Sequence, residues 1–175
     1  YDCIVANPPY EKMIKDGKKS AKNDKLWDKF LDKSFKEVKE NGYILYITPP
    51  AWMSPSSKTL KSIFLKYNVL HINLGDCDKW FNVGSKFSYY LVKKSKIDEK
   101  HKTTIKYLFK GGSKIKKSEG KSEFILKKSY SYIPQIPSKE TFSILEKTAF
   151  KDNEKLKITY DSDLHKYTKK SICAI

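Results

Sequence analysis

An α/β fold with a largely parallel sheet is predicted for this 175-residue chain. Short apolar runs alternate with amphipathic stretches of helical period as far as Lys94. Two of those runs close on a double proline, Pro8-Pro9 and Pro49-Pro50. Each apolar run is far shorter than the roughly 20 residues of a membrane span, so none reads as one.

The elements follow in chain order. Tyr1 to Ala6 is a continuous small-apolar run and reads as a buried strand. Asn7 to Tyr10 is a loop, because two prolines fix φ and remove backbone donors. Glu11 to Lys25 is polar, and its Lys15 to Lys25 part is expected to be mobile for want of anything apolar to bury. Asp24 to Lys39 reads as an amphipathic helix with Leu26, Trp27, Phe30, Leu31, Phe35 and Val38 inward, stopped at Asn41-Gly42. Tyr43 to Thr48 is a second strand. Ser54-Pro55 offers an N-cap and a first-turn proline for a helix to about Lys66, with Leu60, Ile63, Phe64 and Tyr67 inward. Val69 to Leu74 and Lys86 to Lys94 are further strands, joined by a short connector.

Beyond Lys94 the pattern changes. Thr103 to Phe109 and Glu123 to Lys128 read as strands around a polar, turn-rich stretch. Tyr130 to Pro137 is extended, Ser138 to Phe150 is a helix, and Lys157 to Tyr160 is a short strand. A domain boundary is expected where charged residues replace apolar ones near Ser95 to Lys102, giving units of residues 1–96 and 97–175.

Composition excludes several classes. Three widely spaced cysteines, Cys3, Cys77 and Cys173, form neither a disulfide framework nor a metal-ligand spacing. That cysteine usage suits a reducing compartment, and the first residues lack the basic lead of a signal peptide, so the expected location is cytoplasmic and not secreted. The chain does not open on Met and ends on the strand-like Ser-Ile-Cys-Ala-Ile, and both ends read as cuts. Its 36 basic and 20 acidic residues leave a net charge of +16, and every basic residue is Lys. Such a surface attracts polyanions, although solvated lysines that only keep the protein soluble would look the same.

The Asn7-Pro8-Pro9-Tyr10 loop carries the sharpest chemistry. Ligands of open α/β sheets bind beyond the carboxyl ends of the strands, where this loop falls. An exocyclic amine carries two hydrogens and needs two acceptors, which Asn7 Oδ1 and the Pro8 carbonyl supply. Tyr10 offers a face for a flat ring. Two acceptors orient the nitrogen lone pair toward an electrophile and stabilise positive charge growing on nitrogen.

In that loop the chain resembles the amino-methyltransferases, and among them the N6-adenine DNA methyltransferases of the gamma motif order found in restriction–modification enzymes. Asn7-Pro8-Pro9-Tyr10 matches the catalytic motif, Asn41 to Met53 the next strand and its proline-containing end, and Trp80 to Ser88 a later motif with a base-packing aromatic. The likeness spans residues 1–94. It implies the C-terminal half of a Rossmann-like methyltransferase sheet followed by a small, basic α+β region. It also implies that Asn7 and the Pro8 carbonyl, stiffened by Pro9, hold the adenine amine, with Tyr10 stacked on the base. Phe81 would make the other contact, with Trp80 as its competitor; ordinary core packing is the alternative for both. Such an enzyme takes its base out of the duplex, at a cost of a few kcal/mol that aromatic contacts of about 1–3 kcal/mol help offset.

The family's S-adenosylmethionine site precedes the catalytic loop, with a Gly-rich turn and an acidic residue that cannot be placed here. Gly111-Gly112 reads as a turn and no substitute. The expectation is a target-base half that is inactive alone, needs its missing N-terminal half or a complementing chain, and is located in the cytoplasm or wherever the host DNA lies. Residues 97–175 read as part of a DNA-reading region, with Lys110, Lys114, Lys116, Lys117 and Lys121 toward phosphates and Tyr107, Phe109 and Phe124 interleaved; Lys106, Lys127 and Lys128 belong to the same basic stretch. A solvated hairpin with basic loops is the alternative. Methylation of an RNA base or of a protein glutamine, and a non-catalytic nucleic-acid-binding module, remain competing readings of the whole.

Overall fold

The computed structural model describes residues 1–10, 25–81, 86–109 and 117–149. The expected mobile stretch is outside them up to residue 24, as is the expected strand at Lys157 to Tyr160. Among the described residues six strands form one open sheet: β1 (Cys3–Ala6), β2 (Tyr43–Thr48), β3 (Tyr67–Leu74), β4 (Ser88–Lys96), β5 (Thr103–Phe109) and β6 (Ser118–Phe124). Their order across the sheet is β1-β2-β4-β3-β5-β6.

β1 pairs parallel with β2, and β3 with β5. β4 runs antiparallel between β2 and β3, and β6 antiparallel along β5. Strands β1, β2, β3 and β5 therefore point one way, while β4 and β6 oppose them. The expected largely parallel sheet is amended to a mixed one, because β4 sits against the grain. The physical reason lies in the β3–β4 link, whose described part holds only the single turn α2 (Cys77–Trp80) and no crossover helix. The architecture is α/β, as expected for part of a Rossmann-like sheet. β5 lies beyond residue 97 yet pairs with β3, so the sheet continues across the expected domain boundary.

Helix α1 (Leu26–Glu37) buries Trp27, Leu31, Ser34 and Phe35 along one stripe. Phe30, expected inward, is 43% exposed and stands on the helix flank toward β1, beside Tyr1 and Val5. The expected stop is present: Asn41 adopts a left-handed φ of 65°. A side chain at the next residue, Gly42, would put its Cβ 2.9 Å from the Asp2 carbonyl, so glycine lets β1 and β2 close up there.

The helix expected from Ser54 starts later, at Lys58, and is short. Pro50–Met53 is instead a 3₁₀ turn, and Ser54 Oγ donates to the Ala51 carbonyl at 3.0 Å, closing that turn rather than opening a helix. A π-helical turn, Leu60–Phe64, follows, with Leu65 N donating to the Leu60 carbonyl at 2.9 Å. Leu60, Ile63 and Phe64 are buried as expected. The strand expected at Glu123 to Lys128 also moves: antiparallel pairing with β5 sets β6 at Ser118–Phe124, Thr103 opposite Phe124. Phe124 and Leu126 still enter the core. Helix α3 (Lys139–Thr148) starts at Ser138, whose Oγ accepts from Thr141 N at 3.1 Å. It seats Phe142 against Phe124, with ring centroids 4.3 Å apart.

The centre of the core is aromatic. Trp52, fully buried, stacks on Phe64 at 4.0 Å and 5°, and Tyr90 meets both rings edge-on. Trp52 Nε1 donates to Ser88 Oγ at 3.0 Å, and Ser88 Oγ donates to the Thr48 carbonyl at 3.1 Å. These contacts join the turn after β2 to the start of β4. Trp52→Ala is expected to cost about 3–5 kcal/mol in urea unfolding, from lost burial and the cavity left behind. An unchanged midpoint would show that the indole does not hold this junction.

Candidate functional site

The directions of the strands decide what meets at one edge. The carboxyl ends of β1, β2, β3 and β5 bring Asn7–Tyr10, Pro49–Met53, Gly75–Asp78 and Phe109 to the same side, where β4 begins at Ser88. Asn7 is exposed at the end of β1, Pro8 is buried and Pro9 is exposed. Tyr10 is half-buried, and its carbonyl accepts from Leu26 N, the first residue of α1, at 3.1 Å. Both ends of the intervening chain are thereby fixed.

The Tyr10 hydroxyl donates to Asn7 Oδ1. This bond holds the Asn7 amide in one orientation. A carbonyl oxygen has two lone pairs, so Oδ1 can accept a second donor. Burial pushes the Tyr10 phenol up, with a smaller effect from Cys77, so at neutral pH the hydroxyl keeps the proton it donates.

The Tyr10 ring lies 5.0 Å from Phe87, tilted by 38°, and Phe87 lies 5.7 Å from Phe81. Phe81, half-buried, therefore enters an aromatic row that reaches Tyr10 through Phe87. Phe87, which strand periodicity places in the sheet, instead precedes β4 and links this row. Trp80 is 80% exposed at the end of α2, so core packing does not explain it.

Asp76, after β3, is the electrostatic junction beside this edge. Its carboxylate accepts from Lys106 Nζ at 2.7 Å, Lys79 Nζ at 2.9 Å and Asn73 Nδ2 at 2.7 Å. Asn73 is buried, accepts from the Asp76 amide and donates to the Tyr89 hydroxyl. The Lys106 bond, then the Lys79 bond, hold the Asp76 carboxyl well below the usual carboxylate range, against burial. Burial pushes the Cys77 thiol up, helped by Asp78 and Asp76, which keeps it neutral and a poor nucleophile. His71 is half-buried near Tyr89; burial, then Lys121 and Lys106, lower its pKa.

Of the lysines expected at phosphates, Lys110, Lys114 and Lys116 lie outside the described residues, as does Gly111-Gly112. Lys117 is exposed and pairs with Glu119 at 3.0 Å, while Lys121 is exposed on β6. Lys106 is tied to Asp76, and Lys127 to Glu146 at 2.7 Å. Of the interleaved aromatics, Tyr107 and Phe124 are buried and pack inward.

Residues 1–81 match the family model of the Eco57I restriction-modification methylase. The matched span is just under half of the 175 residues and runs from β1 through α2 to Phe81, taking in Asn7–Tyr10 and Trp80. No curated protein matches the chain significantly. Among the described residues no helix is long and apolar enough to cross a membrane.

The Asp76 junction predicts an acid sensitivity. Its folded pKa is depressed, so the stability it contributes is present above the unfolded value of about 3.9 and is lost as pH falls through the lower folded value. Urea midpoints are expected to drop below about pH 4 in the wild type and to drop less in Asp76→Asn. Parallel acid profiles for the two proteins would remove Asp76 as the cause.

Proposed function

We propose that this chain forms the target-base half of an enzyme that transfers a methyl group from S-adenosylmethionine to the N6 amino group of adenine in DNA, within a restriction–modification system. The observation that carries this reading is the placement of Asn7-Pro8-Pro9-Tyr10: an oriented amide acceptor at the carboxyl end of a strand, inside the span that matches a restriction-modification methylase family. Asn7 Oδ1 and the Pro8 carbonyl take the two amine hydrogens, and the lone pair of the nitrogen is left pointing outward. Tyr10 and Phe81 receive the base, with Phe87 linking their rings. As positive charge grows on nitrogen, the two acceptors strengthen, which lowers the barrier. The proton leaves after the nitrogen has reacted, so no strong base is needed among these residues. The net charge of +16 favours a polyanion over a protein glutamine as substrate.

S-adenosylmethionine supplies the methyl electrophile, and the residues of this chain do not fit it as a complete site. Gly111-Gly112 has no acidic partner of the kind such a site uses, and the residues around Asn7 include no Gly-rich turn. The donor is proposed to be held by residues other than these 175, on the same protein or on a complementing chain. Among the described residues β1 pairs with β2 alone, and Val5 on it is 69% exposed. In this division residues 1–96 carry the target-base site, and residues 97–175, whose β5 extends the same sheet, lead into the DNA-reading region.

Three outcomes are expected. In the full-length gene product, Asn7→Ala lowers methyl transfer to DNA by about 100-fold or more, the scale of losing one electrostatic donor or acceptor at a reacting centre. A variant as fast as wild type removes Asn7 from the chemistry. The 175-residue chain alone transfers no methyl group to DNA when given S-adenosylmethionine. Its affinity for duplex DNA falls linearly on a log–log salt plot, and Lys121→Ala reduces the slope by about 1. An unchanged slope places Lys121 away from the backbone.

A further inference from the structure

A cavity of about 500 Å³ opens at the same edge of the sheet, separate from the Asn7 loop. It lies over the ends of β2, β3 and β5, away from the β1 border, and within the roughly 300–1,000 Å³ of small-ligand sites. Its floor is tight. A Cβ on Gly75 would sit 2.5 Å from Leu108 Cβ, so the glycine lets β5 approach the end of β3 and leaves the space above them. One wall is pinned, because Ile133 N donates to the Met53 carbonyl at 3.1 Å and draws the Tyr132–Gln135 segment onto the turn after β2.

The lining is aromatic with a few polar groups. Phe87, Phe109 and Tyr132 present rings, and Pro50 and Pro134 present flat, rigid surfaces. Lys86 stands at the border with Nζ 5.1 Å from the centre of the Phe109 ring. Gln135 offers a donor and an acceptor. Flat rings for stacking, an amide for the edge of a base, and a cation beside them make the chemical signature of a nucleotide. Phe87 is shared: it lines this cavity and lies 5.0 Å from the Tyr10 ring.

The geometry points to a second base pocket. The cavity takes an unstacked nucleobase other than the one held at Asn7, with the phosphate of that nucleotide at Lys86. The ligand class rests on the nucleic-acid reading above; the pocket itself does not depend on Asn7 or on methyl transfer. Phe87 separates the two sites by one ring, which places two unstacked nucleotides side by side along one strand.

The chain has two methionines, Met13 and Met53, and Met53 lines the cavity. Methyl-labelled methionine therefore gives an NMR reporter inside it, assigned with Met13→Leu. Titration with deoxynucleoside 5′-monophosphates is expected to move the Met53 methyl upfield and to saturate, through the ring current of the bound base. Deoxyribose 5-phosphate, the anion without the base, is expected to leave it in place. Phe109→Ala is expected to weaken the nucleotide by about tenfold, on the scale of one lost stacking contact. Lys86→Ala, an exposed substitution that spares the fold, is expected to weaken nucleotides more than the matching nucleosides. Asn7→Ala is expected to leave the shift unchanged.

No shift, an equal shift with deoxyribose 5-phosphate, or full affinity in both Phe109→Ala and Lys86→Ala would overturn the pocket. Loss of the shift in Asn7→Ala would overturn it too, by assigning the nucleotide to the Asn7 loop. Should Phe109→Ala unfold, Lys86→Ala decides alone. Methylation by Asn7→Ala at the wild-type rate would sink the proposed function and leave this pocket standing, so the two fail separately.

Discussion

The indole of Trp52 fixes the geometry on which both the Asn7 loop and the neighbouring cavity depend. It lies on Phe64 at 4.0 Å, under the edge of Tyr90, and its one donor reaches Ser88 Oγ. Ser88 is the first residue of β4, and Phe87 immediately precedes it. Seating Trp52 therefore sets the position of Phe87, which in turn meets the Tyr10 ring. The same turn carries Pro50 and Met53 into the cavity wall. A fully buried indole has a large area to remove from water and a single N–H to satisfy, and Ser88 satisfies it.

Reversal of β4 between β2 and β3 completes the arrangement. A strand running against its neighbours starts where they end, so the residues before β4 join the loops after β1, β2 and β3. This is how Phe87, far along the chain, comes to lie against Tyr10, with Phe81 reaching the loop through it. Prolines stiffen the loop and remove backbone donors from it, while the Tyr10 hydroxyl holds the Asn7 amide in one orientation. Much of the positive charge nearby is already matched by carboxylates: Lys106 and Lys79 on Asp76, Lys117 on Glu119, and Lys127 on Glu146. The net excess of lysine over the whole chain supplies long-range attraction for a polyanion.

The parts of this architecture most legible in the sequence are those set by local rules. Strand β5 begins and ends where its apolar alternation does, Ser138 caps α3, and Asn41 turns the chain with a positive φ. The Asn7 loop was legible because two consecutive prolines after an apolar run leave few alternatives. Features settled by distant partners were not. The polar strand Ser118–Phe124 has no hydrophobic pattern of its own and exists because β5 pairs with it. Ser54 looks like an N-cap until its hydroxyl is seen bonding back to Ala51. Phe30 fits the helical stripe by spacing, yet faces the open side of β1. Phe87 and the Asp76 junction gain their roles from β1, β4 and β5 arriving at one edge, which no single window of sequence contains.

The claim beneath all of this is that the oriented Asn7 acceptor receives an exocyclic amine of a DNA base. Its most direct test is mass spectrometry of nucleosides released from DNA after incubation of the full-length gene product with labelled S-adenosylmethionine. Labelled N6-methyladenine in the DNA is the expected product. DNA left unlabelled, with the methyl group found instead on RNA or on protein glutamine, or nowhere, would contradict it.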